Sequence, residues 1–146
     1  MIVLDTSILS ELIKPTPDAN VERWVADQPV ASLFISAITE AELRYGIAIL
    51  PVGKRRTILC DTIAAILEIE FRGQILPFDS GAAIHFAEIA SHRRKLGRPI
   101  MQADAQIAAI ALSRGAALAT RNQADFEACG LTIINPWNRQ PMRSPN

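Results

Sequence analysis

The chain opens Met1-Ile2-Val3-Leu4-Asp5-Thr6-Ser7, and this stretch decides the fold. The aliphatic residues 2–4 leave no polar alternate, so they form a short strand covered on both faces, as in a parallel sheet lying between helices. Asp-Thr-Ser directly afterwards is a polar turn that opens a helix. A carboxylate therefore stands at the carboxyl end of a buried strand. In open α/β sheets that edge binds ligands, because the loops there gather groups from several strands around one crevice.

Outward from this strand the pattern alternates. Residues 8–13 read as a short helix stopped by Lys14-Pro15-Thr16-Pro17, and Asn20 is placed to cap a second one over 21–27. Leu33-Phe34-Ile35 is another apolar strand, and Ser36 is a good N-cap for a helix over 37–50, ended by Pro51 and Gly53. Residues 54–71 are helical with Ile58, Thr62, Ile66 and Ile69 on one stripe, and Ile75-Leu76-Pro77-Phe78 is a short strand. A helix over 80–95 puts Ile84, Ala87 and Ala90 at helical spacing and is closed by Gly97 and Pro99. A helix over 102–114, a strand over 117–119, a turn at 126–129 and a strand over 131–134 follow, and Asn135-Pro136-Trp137 ends the last. From residue 138 the tail, with two prolines and no apolar period, is expected to be poorly ordered. Strands alternating with helices give the α/β class: a three-layer α/β/α fold with a central, mainly parallel sheet flanked by helices, as one domain over 1–137.

A chain of 146 residues buries a core without staples, and 49% apolar with 21% charged residues is the balance of soluble globular proteins. No apolar run approaches the roughly 18 residues of a membrane span, and no basic leader precedes the apolar start, which favours the cytoplasm. Cys60 and Cys129 lack metal or redox spacing and are expected to be reduced, packed thiols. Fifteen acidic and fifteen basic side chains cancel, so no strong overall field draws nucleic acid or an anionic membrane. Lys54-Arg55-Arg56 and Arg93-Arg94-Lys95 with Arg98 are local cationic stretches, able to contact phosphates if they flank a groove and otherwise solvated helix ends.

Two helices carry acids where a core-facing side chain should be. At about 100° per residue, Glu42 falls in the sector of Ile38, Ala41, Tyr45 and Ile49, while Asp104 lies among Ile107, Ala108 and Ala111. An ionised carboxylate aimed at an apolar interior costs several kcal/mol unless something compensates it. Taken singly, Glu42 could pair with an arginine, Asp104 could favour its helix N-terminus and Asp5 could be an N-cap. Three together are explained by one hard divalent cation at the strand ends, Mg²⁺ or Mn²⁺, which prefers carboxylate oxygens and retained water. His85 and His92 lack a third ligand nearby and do not compete. Such a cation suits phosphodiester hydrolysis, since it activates water and stabilises charge on a phosphoryl oxygen.

The opening Ile-Val-Leu-Asp5-Thr6-Ser7, the Ser36-Ala-Ile-Thr-Glu-Ala-Glu42-Leu-Arg-Tyr-Gly46 segment, Asp104-Ala-Gln-Ile-Ala-Ala and Ala119-Thr120-Arg121-Asn122-Gln-Ala-Asp125-Phe126 together resemble the PIN-domain ribonucleases. The likeness runs from Met1 to Trp137 and is strongest to the VapC toxins of bacterial toxin–antitoxin modules, in the FitB-like group with its Asn-Pro-Trp ending. The resemblance implies a metal-dependent endoribonuclease acting on RNA, usually a homodimer. It also implies inhibition by a VapB-type antitoxin, with operator DNA bound only through that antitoxin and no membrane partner.

Carried over by position, Asp5, Glu42 and Asp104 match the three core acids, and Thr6 matches a hydroxyl supporting the metal site. The family's fourth acid falls at Asn122 here; either Asp125 substitutes from the next turn or Asn122 holds water by its amide oxygen. Asp5 and Asp104 are expected to bind a metal directly and Glu42 directly or through water, with Thr6, Thr120 and Asn122 orienting ligands. Arg121, Lys54 and Arg93 are the candidate contacts to RNA phosphates. Two other readings stand beside this one. A PIN-like protein that binds RNA or a partner with weak turnover is consistent with Asn122, whereas a receiver-like phosphoacceptor calls for a lysine after a late strand, where Thr120-Arg121-Asn122 stands.

Overall fold

The computed structural model describes residues 1–138. Five strands form one sheet in the order β3-β2-β1-β4-β5: β1 (Ile2–Leu4), β2 (Leu33–Ser36), β3 (Ile75–Leu76), β4 (Ala117–Ala119) and β5 (Ile133–Ile134). Every pairing is parallel, with β1 in the middle, Val3 opposite Phe34 and Leu118, and Leu4 opposite Ala119. The opening strand is thus the axis of the sheet. Its alternation splits the interior into two cores. Val3 and Leu118 point into one with Ile89, Ile107 and Ile110, while Leu4 and Ala119 point into the other with Ile8, Leu9, Ile35 and Ile63.

Six α-helices cover the two faces: α1 (Thr6–Leu12), α2 (Ala19–Asp27), α3 (Ala37–Ala48), α4 (Lys54–Ala65), α5 (Ser80–Lys95) and α6 (Gln102–Ser113). The three-layer arrangement is the one expected. The chain moves from β1 out to β2 and β3, then returns to place β4 on the other side of β1, so the strand order reverses between β1 and β4. A crevice opens at the carboxyl ends of strands at such a reversal. Asp5 follows β1 and Thr120 follows β4, one at each lip.

Several local expectations are corrected. The cap of α2 is Asp18, whose Oδ1 accepts from the N–H groups of Asn20 and Val21, so that helix begins before Asn20. On α3 the buried stripe is Thr39, Leu43 and Ile47, while Tyr45 and Ile49 face outward. On α4 and its π-helical extension Ile66–Glu70, Ile63, Ile66 and Leu67 are buried and Ile58 and Ile69 are exposed. On α5 the buried positions are Ala82, Ile89 and Arg93, with Ile84 outside. These helices carry apolar residues on more than one side, so spacing alone offers two stripes and packing selects one. Cys129 is buried as expected, whereas Cys60 is exposed. Pro77, lacking an N–H, follows the end of β3. Asn138 donates its N–H to the Asn135 carbonyl at 3.2 Å; the rest of the tail, residues 139–146, lies outside the described residues.

Among the described residues no helix is long and apolar enough to cross a membrane.

Candidate active site

Asp5 ends β1 and is 5% exposed, held by two hydroxyls on the same oxygen. Ser7 Oγ and Thr120 Oγ1 each donate to Oδ2 at 2.8 Å. Both hydroxyls in turn accept a main-chain N–H from the loop after β4, Ser7 from Arg121 at 3.2 Å and Thr120 from Asn122 at 3.0 Å. A hydroxyl has one hydrogen, so accepting from the loop orients it to give that hydrogen to the carboxylate. The β4 loop thereby fixes Asp5, and Oδ1 receives no donor among the described residues.

Glu42 is exposed, which corrects its expected place in the core-facing sector of α3. It reaches the crevice from beside the buried stripe, and Thr6 Oγ1 donates to its Oε1 at 2.9 Å. Thr6 Oγ1 also lies 2.9 Å from Thr39 Oγ1, which is 3.3 Å from Ser36 Oγ. An ionised carboxylate only accepts, so the hydrogens run one way: Ser36 to Thr39, Thr39 to Thr6, Thr6 to Glu42. Ser36 begins this relay as the N-cap of α3, accepting the Thr39 N–H at 3.0 Å. Thr39→Val, isosteric but without the hydroxyl, is expected to cost about 1–3 kcal/mol, read as a lower urea midpoint. An unchanged midpoint would show that the relay holds nothing.

Asp104 sits half-buried in the first turn of α6, whose next residues are packed tightly under the sheet. Its carboxyl is pushed up to about 6, first by burial and then by the negative charges of Asp5, Asp125 and Glu42; Arg93 pulls the other way. Of four acids from four parts of the chain, three thus bring their charge to bear on the fourth, Asp104. None of them has a salt-bridge partner among the described residues.

The other expected residues divide. Thr120 is buried in the Asp5 network; Asn122 contributes its main-chain N–H; Asp125, exposed in the 3-10 turn Gln123–Phe126, adds its charge to those felt at Asp104. Arg121 joins by its backbone, but its guanidinium lies over the Trp137 ring at 5.2 Å. Asn135 Nδ2 meets the Arg121 carbonyl at 3.5 Å and Asn20 Nδ2 the Trp137 carbonyl at 3.3 Å, so the Asn-Pro-Trp segment braces this loop. Lys54 is exposed at the start of α4, lining with Ser10, Lys14, Arg55 and Ile58 an open groove of about 850 Å³ that none of the four acids lines. Arg93 is not a surface phosphate contact: it is 5% exposed, and its guanidinium donates to main-chain carbonyls. Ser7, Ser36 and Thr39 complete the site without having been expected; the Ser/Thr pair three apart at a helix start was the available signal for the last two.

The PIN domain profile matches residues 2–129. The chain belongs to the PIN-domain family. Within it, the chain is 45% identical over 137 residues to VapC ribonuclease Y4jK of Sinorhizobium fredii, covering 94% of this chain and 98% of that one. It is 38% identical over 138 residues to toxin FitB of Neisseria gonorrhoeae, covering 94% and 99%. A solved structure of FitAB bound to a DNA fragment superposes with a TM-score of 0.90 at 36% identity, over 98% of this chain and 100% of that one. This PIN domain is thus of the VapC and FitB toxin type, and the receiver-like reading falls away.

Proposed function

We propose that this PIN domain is the toxin of a VapBC-type toxin–antitoxin module, an Mg²⁺- or Mn²⁺-dependent endoribonuclease that hydrolyses RNA phosphodiesters and is inhibited by a VapB-type antitoxin. The observation that carries the reading is the set of acids Asp5, Glu42 and Asp104 at the β1/β4 reversal, where burial first and then the charges of Asp5, Asp125 and Glu42 raise the Asp104 carboxyl to about 6. A half-buried carboxyl raised by burial and by neighbouring negative charge, with no salt-bridge partner among the described residues, suits a divalent cation as its counter-charge. The donors are all hard carboxylate oxygens, as Mg²⁺ and Mn²⁺ prefer. Among the described residues no three acid, imidazole or thiol groups are already gathered tightly enough to enclose an ion. A cation held there would keep several of its own waters rather than be enclosed by carboxylates.

When bound there, the cation would supply Lewis-acid stabilisation of the phosphoryl charge and make water a better nucleophile. The protein's own groups do the rest. Ser7 and Thr120 hold Asp5 by one oxygen and leave the other without a donor among the described residues, Thr6 sets Glu42, and the first turn of α6 carries Asp104. By the same reading the toxin works as a homodimer, and operator DNA is bound by the antitoxin rather than by the PIN domain. Asn122 at the usual fourth acidic position raises the alternative of weak turnover, but Asp125, whose charge is felt at Asp104, favours a working nuclease.

Purified protein freed of antitoxin is expected to cut labelled structured RNA with Mg²⁺ or Mn²⁺. EDTA and Asp5→Asn should each abolish cutting while the protein stays folded. Cutting that persists in EDTA, or survives Asp5→Asn, would remove the metal nuclease reading. Metal binding without cutting would favour the binding-only alternative.

A further inference from the structure

Arg93 lies in the last turn of α5 and is 5% exposed, yet no carboxylate pairs with it among the described residues. Its Nε donates to the Arg98 carbonyl at 2.7 Å, and its Nη1 to the carbonyls of Asp125 at 2.8 Å and Glu127 at 3.0 Å, with Cys129 Sγ at 3.9 Å. Burying a guanidinium costs several kcal/mol unless its donors and charge are satisfied. Here Nε is satisfied by Arg98, while Nη1 holds one short segment of chain, the turn and its exit, on both sides of the buried Phe126. The same segment carries Asp125, which is exposed, and the turn packs through Phe126 on α6, the helix whose first turn bears Asp104. A lysine offers one nitrogen and no planar fork, so it could not hold Arg98 on one side and the turn on the other in this way.

We propose that Arg93 is a positioning residue of the active site: its fork fixes the Gln123–Phe126 turn so that Asp125 stands beside Asp104 as the fourth acid, which Asn122 does not supply. The proposal rests on the metal nuclease reading above and adds to it how this chain completes its acid set. Arg93 touches neither RNA nor cation; it acts through the backbone that bears Asp125.

The test is direct Mn²⁺ binding to the full chain without RNA, followed by electron paramagnetic resonance, in wild type, Asp125→Asn, Arg93→Lys and the double variant. Asp125→Asn is expected to weaken Mn²⁺ binding about tenfold, at the lower end of what supporting groups of metal sites contribute. Arg93→Lys should weaken it by a similar factor, and the double variant should be no weaker than Asp125→Asn, because the two act through one group. In RNA cleavage Arg93→Lys should lower kcat at unchanged KM. Multiplying effects in the double variant would overturn the proposal, and so would unchanged Mn²⁺ affinity in Asp125→Asn. The latter arm decides even if Arg93→Lys does not fold, since residue 125 is exposed. Wild-type protein that binds no Mn²⁺ would instead overturn the metal reading itself, and this proposal with it.

Discussion

Asp104→Asn is expected to raise the melting temperature in EDTA at neutral pH while removing RNA cleavage. The Asp104 carboxyl is pushed up to about 6 from an ordinary 3.8 by burial and by Asp5, Asp125 and Glu42. A raised carboxyl means that the folded chain holds a proton the unfolded chain has already released. Between about pH 4 and 6 the folded state therefore binds more protons, and stability falls as pH rises through that window. Above it the full penalty applies. Two pH units correspond to roughly 3 kcal/mol, but Asp104 is only half-buried, so solvent screening reduces this to roughly 1–2 kcal/mol. For a domain of this size that is a gain of roughly 3–8 °C in Tm. The gain should vanish below about pH 4, where both side chains are neutral. Adding Mn²⁺ should reverse the order, because only the wild type then gains strongly from a ligand that binds the folded state. Cleavage should fall by more than about 100-fold, the upper cost of losing a mere supporting group at a metal site. A variant less stable than wild type in EDTA, or a difference that does not change with pH, would show that neither burial nor neighbouring charge penalises an ionised Asp104.

The same penalty explains why the site was partly legible in sequence. Asp5 was visible because an aliphatic run has no polar alternate, so its end, and the acid on it, could be placed without knowing any other element. Asp104 was visible because α6 is buried from Ala105 to Ala111 apart from Gln106, which leaves an acid in its first turn conspicuous. Glu42 reached the site by a different route from the one helical counting implied. Counting treats Thr39 as polar and so misses the true buried stripe of Thr39, Leu43 and Ile47. Thr39 is buried because its hydroxyl is satisfied by Ser36 and Thr6, and Thr6 comes from a segment 33 residues away. Arg93 was misplaced for the same kind of reason. In a run of Arg93-Arg94-Lys95 nothing local separates the buried cation from the solvated ones, since the carbonyls that bury it arrive from residues 125 and 127. The stacking of Arg121 on Trp137 is likewise a contact between distant segments. What periodicity carries is the interior; what it omits is any polar side chain satisfied across the chain.

Phe126→Ala is expected to be among the most damaging single changes, costing about 3–5 kcal/mol of stability. Phe126 is 2% exposed and packs in the core that contains Ile107, Ile110 and Leu118, although it belongs to a 3-10 turn on the outside of the sheet. A short turn has little stability of its own, so its one buried ring is what attaches it, together with the Arg93 bonds on either side. Truncation leaves a ring-sized cavity that the surrounding alanines of α6 are too small to fill. Against the 5–15 kcal/mol typical of a whole domain, the loss is a large share. A urea titration should show a much lower midpoint at unchanged slope, and Phe126→Leu, which refills most of the cavity, should recover most of it. The variant also separates two ways of losing activity. If the turn only caps the core, cleavage per folded molecule stays near wild type at low temperature. If the turn presents Asp125 to the acid cluster, Mn²⁺ affinity falls even where the protein remains folded, and Phe126→Leu restores affinity and stability in parallel. Parallel recovery would tie this core residue to the site through the backbone of a single turn, whereas recovery of stability alone would leave Asp125 outside it.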